Sequence, residues 1–371
     1  MSDQQLRDDI REAVHDAKAV LITSAVKPDG DSVAAQLALK QIIETYRGGK
    51  VRVDIVNEVA CPHRYAFLPG ADEMLTLEDE ILRDYDVAFA LDCSPDRIGR
   101  VRPLYDRSGT RITIDHHKVR TEGGSQLTLV RPLAGSTAEI IYDFIEDPAW
   151  NTPLTGELAT ILYTGMIFDS GGFLYKLTTP HTLRLAARLL ETGFNFSSVA
   201  ERVLLVRTYS ARVLLGKVLS SMKRNRSGTV GYAIVTSAMM RDTDAKVDDL
   251  EGIVEQMIFT EGVEVSVLAV ELAENDYKLS LRSRGKIDVA TLANDLDAQG
   301  GGHDRAAGCN MKGDAREIIW RVVAEVDGRL EALTAEASDH QRDAGGNDRG
   351  QAATDADGDA GGRHPLRAGK G

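Results

Sequence analysis

Acidic and imidazole side chains lie at or beside the points where several predicted strands and helices of this chain end. The set consists of Asp29, Asp31, Asp92, Asp115, His116, His117 and Asp169. In open parallel sheets, ligands bind at the edge formed by the carboxyl ends of the strands. Carboxylates and imidazoles without thiols suit Mn²⁺, Mg²⁺ or Fe rather than a structural zinc ion. The set therefore predicts a site for two metal ions.

Such a site is suited to chemistry at phosphorus. Two ions held roughly 3.5–4 Å apart by a bridging carboxylate can activate water and stabilise both oxygens of an in-line displacement. Each motif also has a structural alternative when taken alone: Asp29 can serve a PDG turn, Asp31 can cap a helix, and FDSGG can end one. The convergence of all of them at one edge of a sheet favours the metal site.

Hydrophobic periodicity predicts an α/β fold with a parallel sheet in its first part. Short β-branched runs predict strands at 19–24, 51–57, 86–92, 111–117 and 126–130, and longer periodic stretches predict helices at 3–18, 33–46, 136–147, 155–171 and 180–192. The strand–loop–helix order is typical of parallel α/β units. Beyond residue 228, the pattern predicts strands at 229–236, 263–272 and 276–284, and helices at 246–259 and 287–296.

The pattern divides the chain into four segments. Residues 1–195 form the predicted metal-binding domain, 196–225 a helical linker, 226–333 a smaller α/β domain, and 334–371 a disordered tail. The tail is rich in Gly, Asp and Ala and has almost no large aliphatic side chains. It therefore cannot bury enough apolar surface to offset the entropy of ordering.

Composition limits the class of partner. The 371 residues include 44 Lys and Arg against 57 Asp and Glu, which gives a net charge of −13. Proteins that hold long nucleic acids by bulk charge are usually basic, so such a partner is disfavoured. The N-terminus lacks the apolar core of a signal peptide, and no run approaches ~18 apolar residues, so a cytoplasmic protein without membrane contact is expected. The three cysteines form no CxxC pair, which disfavours a disulfide framework.

A glycine-rich segment of the second domain has the composition of an anion-binding loop. GGGHDRAAG at 300–308 places Gly301 and Gly302 before His303, so that backbone N–H groups can turn toward an anion. Arg282 and Arg284 alternate along a predicted strand and share one face, where both can reach the same phosphate. The structural alternative is a glycine-rich turn between a helix and a strand.

These motifs resemble, in order, those of the DHH phosphoesterase family. PDGDS at 28–32, ALDCSPDRIG at 90–99, DHH at 115–117 and FDSGGF at 168–173 are similar to the four motifs of its first domain, and SLRSR at 280–284 with GGGHDRAAG at 300–308 resembles its associated C-terminal domain. The layout most resembles the nano-RNases, oligoribonucleases that also dephosphorylate 3′-phosphoadenosine 5′-phosphate. Family II inorganic pyrophosphatases share the first domain but carry a C-terminal domain without GGGH.

The resemblance implies a manganese-dependent phosphoesterase that acts on short RNA or nucleotides. Asp31, Asp92, His116 and Asp169 would hold one Mn²⁺, and Asp29 and Asp92 the other, with Asp92 as the bridge. His117 would face the scissile phosphate, and Asp115 would orient the histidines. Arg282, Arg284, Gly301, Gly302 and His303 would hold the far end of the substrate, across a cleft between the domains. Mg²⁺ or another divalent ion is an alternative, and a homodimer is left open.

One position departs from the family pattern. The first motif of the family begins with a metal-binding histidine four residues before the first aspartate of PDGD, and Ala25 occupies that position here. Three explanations stay open: a deliberate substitution, a natural enzyme with one weak metal site, or a nucleotide-binding protein without turnover. His15 and His63 are candidates for a substitute ligand. Among enzymes, a cyclic or linear dinucleotide phosphodiesterase of the same fold is the alternative.

Overall fold

The computed structural model of the chain describes residues 2–117 and 124–346. These residues form two compact units, and the boundary between the units lies between Val206 and Arg207. The predicted helical linker, 196–225, is therefore divided, since its first part belongs to the first unit and the rest to the second. Across the described ranges, no helix is long and apolar enough to cross a membrane.

The first unit is built on a six-stranded parallel sheet, which confirms the predicted α/β class. Its strands are β1 (Ala19–Thr23), β2 (Arg52–Asn57), β3 (Leu75–Thr76), β4 (Val87–Leu91), β5 (Thr110–Asp115) and β6 (Leu127–Val130), in the order β3-β2-β1-β4-β5-β6. Its helices are α1 (Asp3–His15), α2 (Gly30–Arg47), α3 (Arg102–Arg107), α4 (Thr137–Glu146), α5 (Gly156–Asp169), α6 (Pro180–Leu190) and α7 (Phe196–Ala200).

Helices cover both faces of this sheet, so its central strands are continuously apolar. In β1, Val20 and Ile22 belong to the apolar cluster that contains α2 and α5. Leu21 belongs to a smaller cluster with Tyr105 of α3. Successive side chains of a strand point to opposite faces, so the two clusters lie on the two sides of the sheet. This double burial explains why these strands are runs of apolar residues rather than alternating patterns.

The order of the strands explains where the functional side chains meet. β1 lies between β2 and β4, so the chain first builds one side of the sheet and then crosses to the other. Such a reversal leaves a crevice outside the carboxyl ends of the two adjacent strands, which here are β1 and β4. Asp29 and Asp31 follow β1, and Asp92 follows β4 directly. The fold therefore brings the aspartates of both loops to the same crevice.

The second unit contains a mixed sheet. Its strands are β7 (Lys223–Arg224), β8 (Val230–Val235), β9 (Val265–Ala273), β10 (Asp276–Ser283), β11 (Gly301–His303) and β12 (Ala306–Lys312), in the order β11-β12-β10-β9-β8-β7. Only the β8–β9 pair is parallel among these described strands. Its helices are α8 (Tyr209–Ser221), α9 (Ser237–Asp242), α10 (Ile253–Ile258), α11 (Val289–Leu296) and α12 (Ala315–Gly346).

Two expectations for this unit were wrong. The helix predicted at 246–259 is interrupted, because Gly252 adopts a φ of 85° and separates a 3₁₀ turn at Val247–Leu250 from α10. The segment 300–308 was expected to be a loop, but it forms β11 and the start of β12. The two strands form a short hairpin, because the two residues 304–305 between them are the commonest length for a connection between antiparallel strands.

The segment predicted as a disordered tail begins as part of a helix. The structure continues α12 to Gly346, thirteen residues beyond the predicted domain end at 333. Residues 334–344 contain Ala, Glu, Gln and Arg and no proline or glycine, so they can extend a helix even without apolar side chains to bury. The rest of the predicted tail, residues 347–371, lies outside the described residues.

Candidate metal centre

The loop after β1 delivers the first two aspartates to the sheet edge. Asp29 caps the N-terminus of α2, where its Oδ1 accepts the backbone N–H groups of Asp31 at 3.1 Å and Ser32 at 3.0 Å. Gly30 lies against Phe168 of α5, and a Cβ atom at Gly30 would lie 2.7 Å from that ring. The capping role that the sequence offered for Asp31 thus belongs to Asp29, and the carboxylate of Asp31 is available to the site.

Asp31 is fully buried and is held by the start of α4. Its Oδ2 accepts the backbone N–H of Thr137 at 2.6 Å, and its Oδ1 accepts that of Ala138 at 3.0 Å. The N-terminus of a helix carries partial positive charge and therefore stabilises a carboxylate. Gly165 of α5 permits this arrangement, because a Cβ atom there would lie 2.5 Å from Asp31 Oδ1.

Asp92 adopts an uncommon backbone conformation at the end of β4. Its φ is 58°, in the left-handed region that Asn and Asp tolerate better than most other non-glycine residues. Its N–H donates to the carbonyl oxygen of Ile114 at 2.9 Å. Its Oδ2 accepts the hydroxyl of Ser32 at 2.6 Å, and its Oδ1 accepts the hydroxyl of Thr137 at 3.0 Å. Hydroxyl groups therefore hold both carboxylate oxygens.

His116 and Asp169 complete the group. His116 Nδ1 lies 3.3 Å from the carbonyl oxygen of Ala134, so this nitrogen carries the proton and Nε2 can act as a ligand atom. Nε2 lies 2.9 Å from Asp169 Oδ2 and 3.6 Å from Asp92 Oδ1. The ligand atoms of Asp31, Asp92, His116 and Asp169 all lie within 4.8 Å of one another.

A second group shares two of these residues. Asp92 and His116 lie within the same distance of His117. The Nδ1 and the backbone N–H of His117 each donate to Asp115 Oδ1 at 2.8 Å, so Asp115 fixes the orientation of this ring. The same Nδ1 lies 3.5 Å from Asp92 Oδ1. Asp29, predicted to share an ion with Asp92, belongs to neither group found among the described residues.

Burial and mutual repulsion disfavour the ionised carboxylates. Burial raises the pKa of Asp31 and of Asp92 well above the usual range, and neighbouring carboxylates raise it further. Burial, with the charge of Asp169, raises the pKa of Asp29 to about 6. Burial acts to lower the pKa of His116, but the Asp169 carboxylate and the other acids outweigh it and raise this pKa to about 10. A bound cation would favour the ionised carboxylates and the neutral imidazole instead.

The residues present fit a divalent cation. They offer carboxylate oxygens and an imidazole nitrogen without a thiolate, which is typical of Mn²⁺ or Mg²⁺ sites. A buried ring nitrogen that converges with three carboxylates is the arrangement expected of a ligand.

Neither histidine considered as a substitute for the ligand missing at Ala25 joins these groups. His15 Nδ1 lies 3.0 Å from the hydroxyl of Tyr46. Tyr46 is near the C-terminal end of α2, about 22 Å along the helix axis from Asp31. His63 is exposed, in a 3₁₀ turn after β2, and belongs to neither ligand group of the described residues.

Two residues of the site were not predicted from the sequence: Ser32 and Thr137, whose hydroxyls bind Asp92. The segment STAE at 136–139 begins α4, and Ser136 caps this helix by accepting the N–H of Glu139 at 3.1 Å. Capping uses only one of the two adjacent hydroxyls. The second hydroxyl of this segment is therefore the signal that could have indicated Thr137.

In the second unit, both predicted phosphate-binding arginines contact α10. The Nε and Nη2 of Arg282 lie 2.9 and 2.7 Å from Glu255 Oε1. The Nε and Nη2 of Arg284 donate to the carbonyl oxygen of Ile258 at 3.2 and 3.0 Å. Arg282 lies in β10 and Arg284 directly follows its last residue, and both guanidinium groups already have protein partners on α10.

The two glycines of β11 have different surroundings. Gly302 has a φ of 145°, and a Cβ atom there would lie 2.4 Å from the carbonyl oxygen of Ala306. A Cβ atom at Gly301 would meet nothing closer than Asn294 Oδ1 at 4.0 Å. The pairing of β11 with β12 therefore requires glycine at 302 but not at 301. The side chain of His303, predicted to bind substrate, lies outside what the structure describes.

Alanine substitutions at these two glycines are expected to destabilise the fold to different extents. Gly302→Ala forces Cβ into backbone contact at a φ that alanine rarely adopts, so the free energy of unfolding should fall by about 1–3 kcal/mol. Gly301→Ala should change it by less than about 1 kcal/mol. Denaturant unfolding of the full chain, followed by circular dichroism, measures both. Equal destabilisation by the two variants would contradict this account.

Comparison with known proteins matches both units. The family model "DHH family, N-terminal domain" matches residues 19–166, and "DHHA1 domain" matches residues 229–332. The chain is 32% identical over 309 residues to the bifunctional oligoribonuclease and PAP phosphatase NrnA of Thermus thermophilus, covering 83% of this chain and 89% of the relative. It is 25% identical to the protein of the same name from Bacillus subtilis, covering 79% of this chain and 89% of the relative.

A solved structure is similar over most of the chain. An exopolyphosphatase-related protein from Bacteroides fragilis shares 27% identity with a TM-score of 0.80, covering 89% of this chain and 96% of that one. The family match and these relatives define the class, a phosphoesterase, which is a hydrolase acting on ester bonds, and the carboxylates and imidazoles at the switch point of the parallel sheet are consistent with it. The chain belongs to the DHH family. The resemblance inferred from the ordered motifs is thereby confirmed.

Proposed function

We propose that this chain is a Mn²⁺-dependent phosphoesterase that hydrolyses short oligoribonucleotides, 3′-phosphoadenosine 5′-phosphate, or both. The observation that carries the proposal is the convergence of the ligand atoms of Asp31, Asp92, His116 and Asp169 within 4.8 Å. The names of the Thermus and Bacillus relatives support the substrate class, since they describe an oligoribonuclease and a PAP phosphatase.

Asp92 and His117 are proposed to have different roles in the reaction. Divalent ions, when bound, supply Lewis-acid polarisation of a phosphoryl group and a nucleophile at neutral pH. Asp92 belongs to both ligand groups, which supports its role as the bridging carboxylate. Burial lowers the pKa of His117, but the hydrogen bond to Asp115 and the charge of Asp92 outweigh this effect and raise it. The raised pKa favours the protonated ring of His117 in the absence of a bound cation.

The second unit is proposed to bind the far end of the substrate through Arg282, Arg284 and the hairpin at 300–308. Arg282 is paired with Glu255, so a substrate phosphate would have to compete with this carboxylate. The affinity of the second unit for the substrate would then come from the contacts of both arginines and the hairpin together rather than from a free guanidinium. The net charge of −13 supports a short substrate over a long nucleic acid.

A substrate panel tests the proposed function. The full chain with Mn²⁺ is offered a diribonucleotide, 3′-phosphoadenosine 5′-phosphate, a linear and a cyclic diadenylate, a long RNA and polyphosphate, with Asp92→Ala as the blank. We expect release of mononucleotide or phosphate from the first two substrates at least tenfold faster than from the long RNA. Preferred cleavage of the cyclic diadenylate or of polyphosphate would replace the proposed substrate class with another.

Ala25 supports a second candidate, a nucleotide-binding protein with little turnover. Ala25 offers no ligand atom at the position where the family has a histidine, and no described histidine replaces it. Tight binding of 3′-phosphoadenosine 5′-phosphate without phosphate release, even at millimolar Mn²⁺, would favour this candidate. Isothermal titration alongside the release assay distinguishes the two.

A further inference from the structure

We infer that Ser32 and Thr137 are positioning residues that set the orientation of Asp92 for metal binding. The inference rests on the proposed function, because it takes the ligand group as a metal site. The hydroxyl of Ser32 donates to Asp92 Oδ2 at 2.6 Å, and that of Thr137 donates to Asp92 Oδ1 at 3.0 Å. All three side chains are buried. Each oxygen of this carboxylate therefore has its own hydroxyl donor.

The two hydroxyls come from different helices that meet at the crevice. Ser32 lies in the first turn of α2 and Thr137 at the first position of α4. Thr137 has a second contact with the site, because its backbone N–H donates to Asp31 Oδ2 at 2.6 Å. One residue thus bonds two of the four converging ligands, through its main chain and its side chain. The start of α4 fixes Asp31 and Asp92 relative to each other.

The arrangement leaves capacity for a cation. A carboxylate oxygen has two lone pairs, and a single hydroxyl uses one of them on each oxygen of Asp92. The remaining lone pairs can face the ligand group that contains His116 and Asp169. The φ of 58° at Asp92 is sparsely populated and persists only where surrounding contacts determine it. The two hydroxyls, with the N–H bond to Ile114, supply those contacts.

A purely structural role would have different consequences. If the hydroxyls only satisfied a buried carboxylate, removing one would lower the free energy of unfolding without changing metal affinity. If the hydroxyls orient Asp92, then in a variant that lacks one of them the carboxylate is less ordered. A cation must then order it on binding, so the affinity for the metal ion falls. Residues that orient metal ligands typically contribute about 10–100-fold to affinity. Metal affinity, measured without substrate, therefore separates the two roles.

Thr137→Val and Thr137→Ser form a matched pair for the test. Valine keeps the shape and the backbone N–H to Asp31 but lacks the hydroxyl, whereas serine keeps the hydroxyl. Isothermal titration of the EDTA-treated, dialysed full chain with Mn²⁺ should give about 10–100-fold weaker binding for Thr137→Val, and binding within about threefold of wild type for Thr137→Ser. Ser32→Ala provides an independent variant should Thr137→Val fail to fold.

The outcomes separate this inference from the proposed function. Absence of Mn²⁺ binding by the wild-type chain would overturn the proposed function and, with it, the metal site assumed here. Binding by the wild type, with Thr137→Val and Ser32→Ala equal to it or tighter, would overturn the positioning role alone. Tighter binding would mean that the hydroxyls compete with the cation for the carboxylate. Unfolding in EDTA, run in parallel, reports any loss of stability separately.

Discussion

Asp92→Asn is expected to abolish phosphoesterase activity while the fold stays intact. Asp92 belongs to both ligand groups, so the loss of its charge weakens the binding of any ion held there. Such ions contribute several kcal/mol to transition-state stabilisation, so kcat/KM should fall about a thousandfold or more. Asparagine tolerates the φ of 58° as well as aspartate does, and it can still bond the hydroxyls of Ser32 and Thr137.

In EDTA, Asp92→Asn is expected to be more stable than the wild type, and the difference should increase as pH rises. Burial raises the pKa of Asp92 well above the usual range. A carboxyl group whose pKa is raised in the folded state contributes stability at low pH, and this stability is lost as pH rises through the folded pKa. Asp92→Asn removes that loss, so the difference in unfolding temperature between this variant and the wild type should grow as pH rises above the usual carboxyl range.

Asp96→Asn is the matched control for both measurements. Asp96 lies in the same loop but is exposed and belongs to neither ligand group. Its substitution should leave kcat/KM within about twofold of wild type and the unfolding temperature nearly unchanged at each pH. Retained activity in Asp92→Asn would contradict the bridging role. A difference in unfolding temperature that does not depend on pH would contradict the electrostatic argument.

The elements that position the site were predictable because the sequence marks their ends. β1 and β4 are short apolar runs and β5 is rich in β-branched residues, and each ends at or within a few residues of aspartate or histidine. A parallel sheet then brings the carboxyl ends of such strands to one edge, although Asp31 and Asp169 are 138 residues apart in the sequence. The order of the strands was not needed to infer a shared site. It explains why the loops after β1 and β4 supply Asp29, Asp31 and Asp92.

Contacts that depend on how helices dock could not be predicted in the same way. The contact of Thr137 with Asp92 requires α4 to begin against α2, which Gly165 permits by leaving room for Asp31. No periodicity in the sequence encodes that approach. The partner of Arg282 is likewise set by the packing of α10 on β10, and this places Glu255 beside its guanidinium.

Ala25→His is expected to increase the affinity of the chain for divalent ions. Ala25 lies two residues beyond the end of β1 and is partly buried. A histidine there would add an imidazole ligand at the crevice, at the position where the family pattern has one. Because even groups outside the ligand shell change affinity about 10–100-fold, the Mn²⁺ concentration for half-maximal rate should fall at least tenfold. The rates of the two proteins should converge at saturating Mn²⁺.

Ala25→Phe distinguishes ligation from packing. Ala25 packs against the apolar cluster that contains Cys93 and Ile98, so any ring at this position also changes local packing. Phenylalanine adds a ring without a donor and should give no gain in Mn²⁺ affinity. Equal rates of wild type and Ala25→His at limiting Mn²⁺ would mean that the position does not limit metal binding. If Ala25→His binds Mn²⁺ more tightly but shows no turnover at saturating Mn²⁺, Ala25 is not the cause of the missing activity. This result would favour the nucleotide-binding candidate.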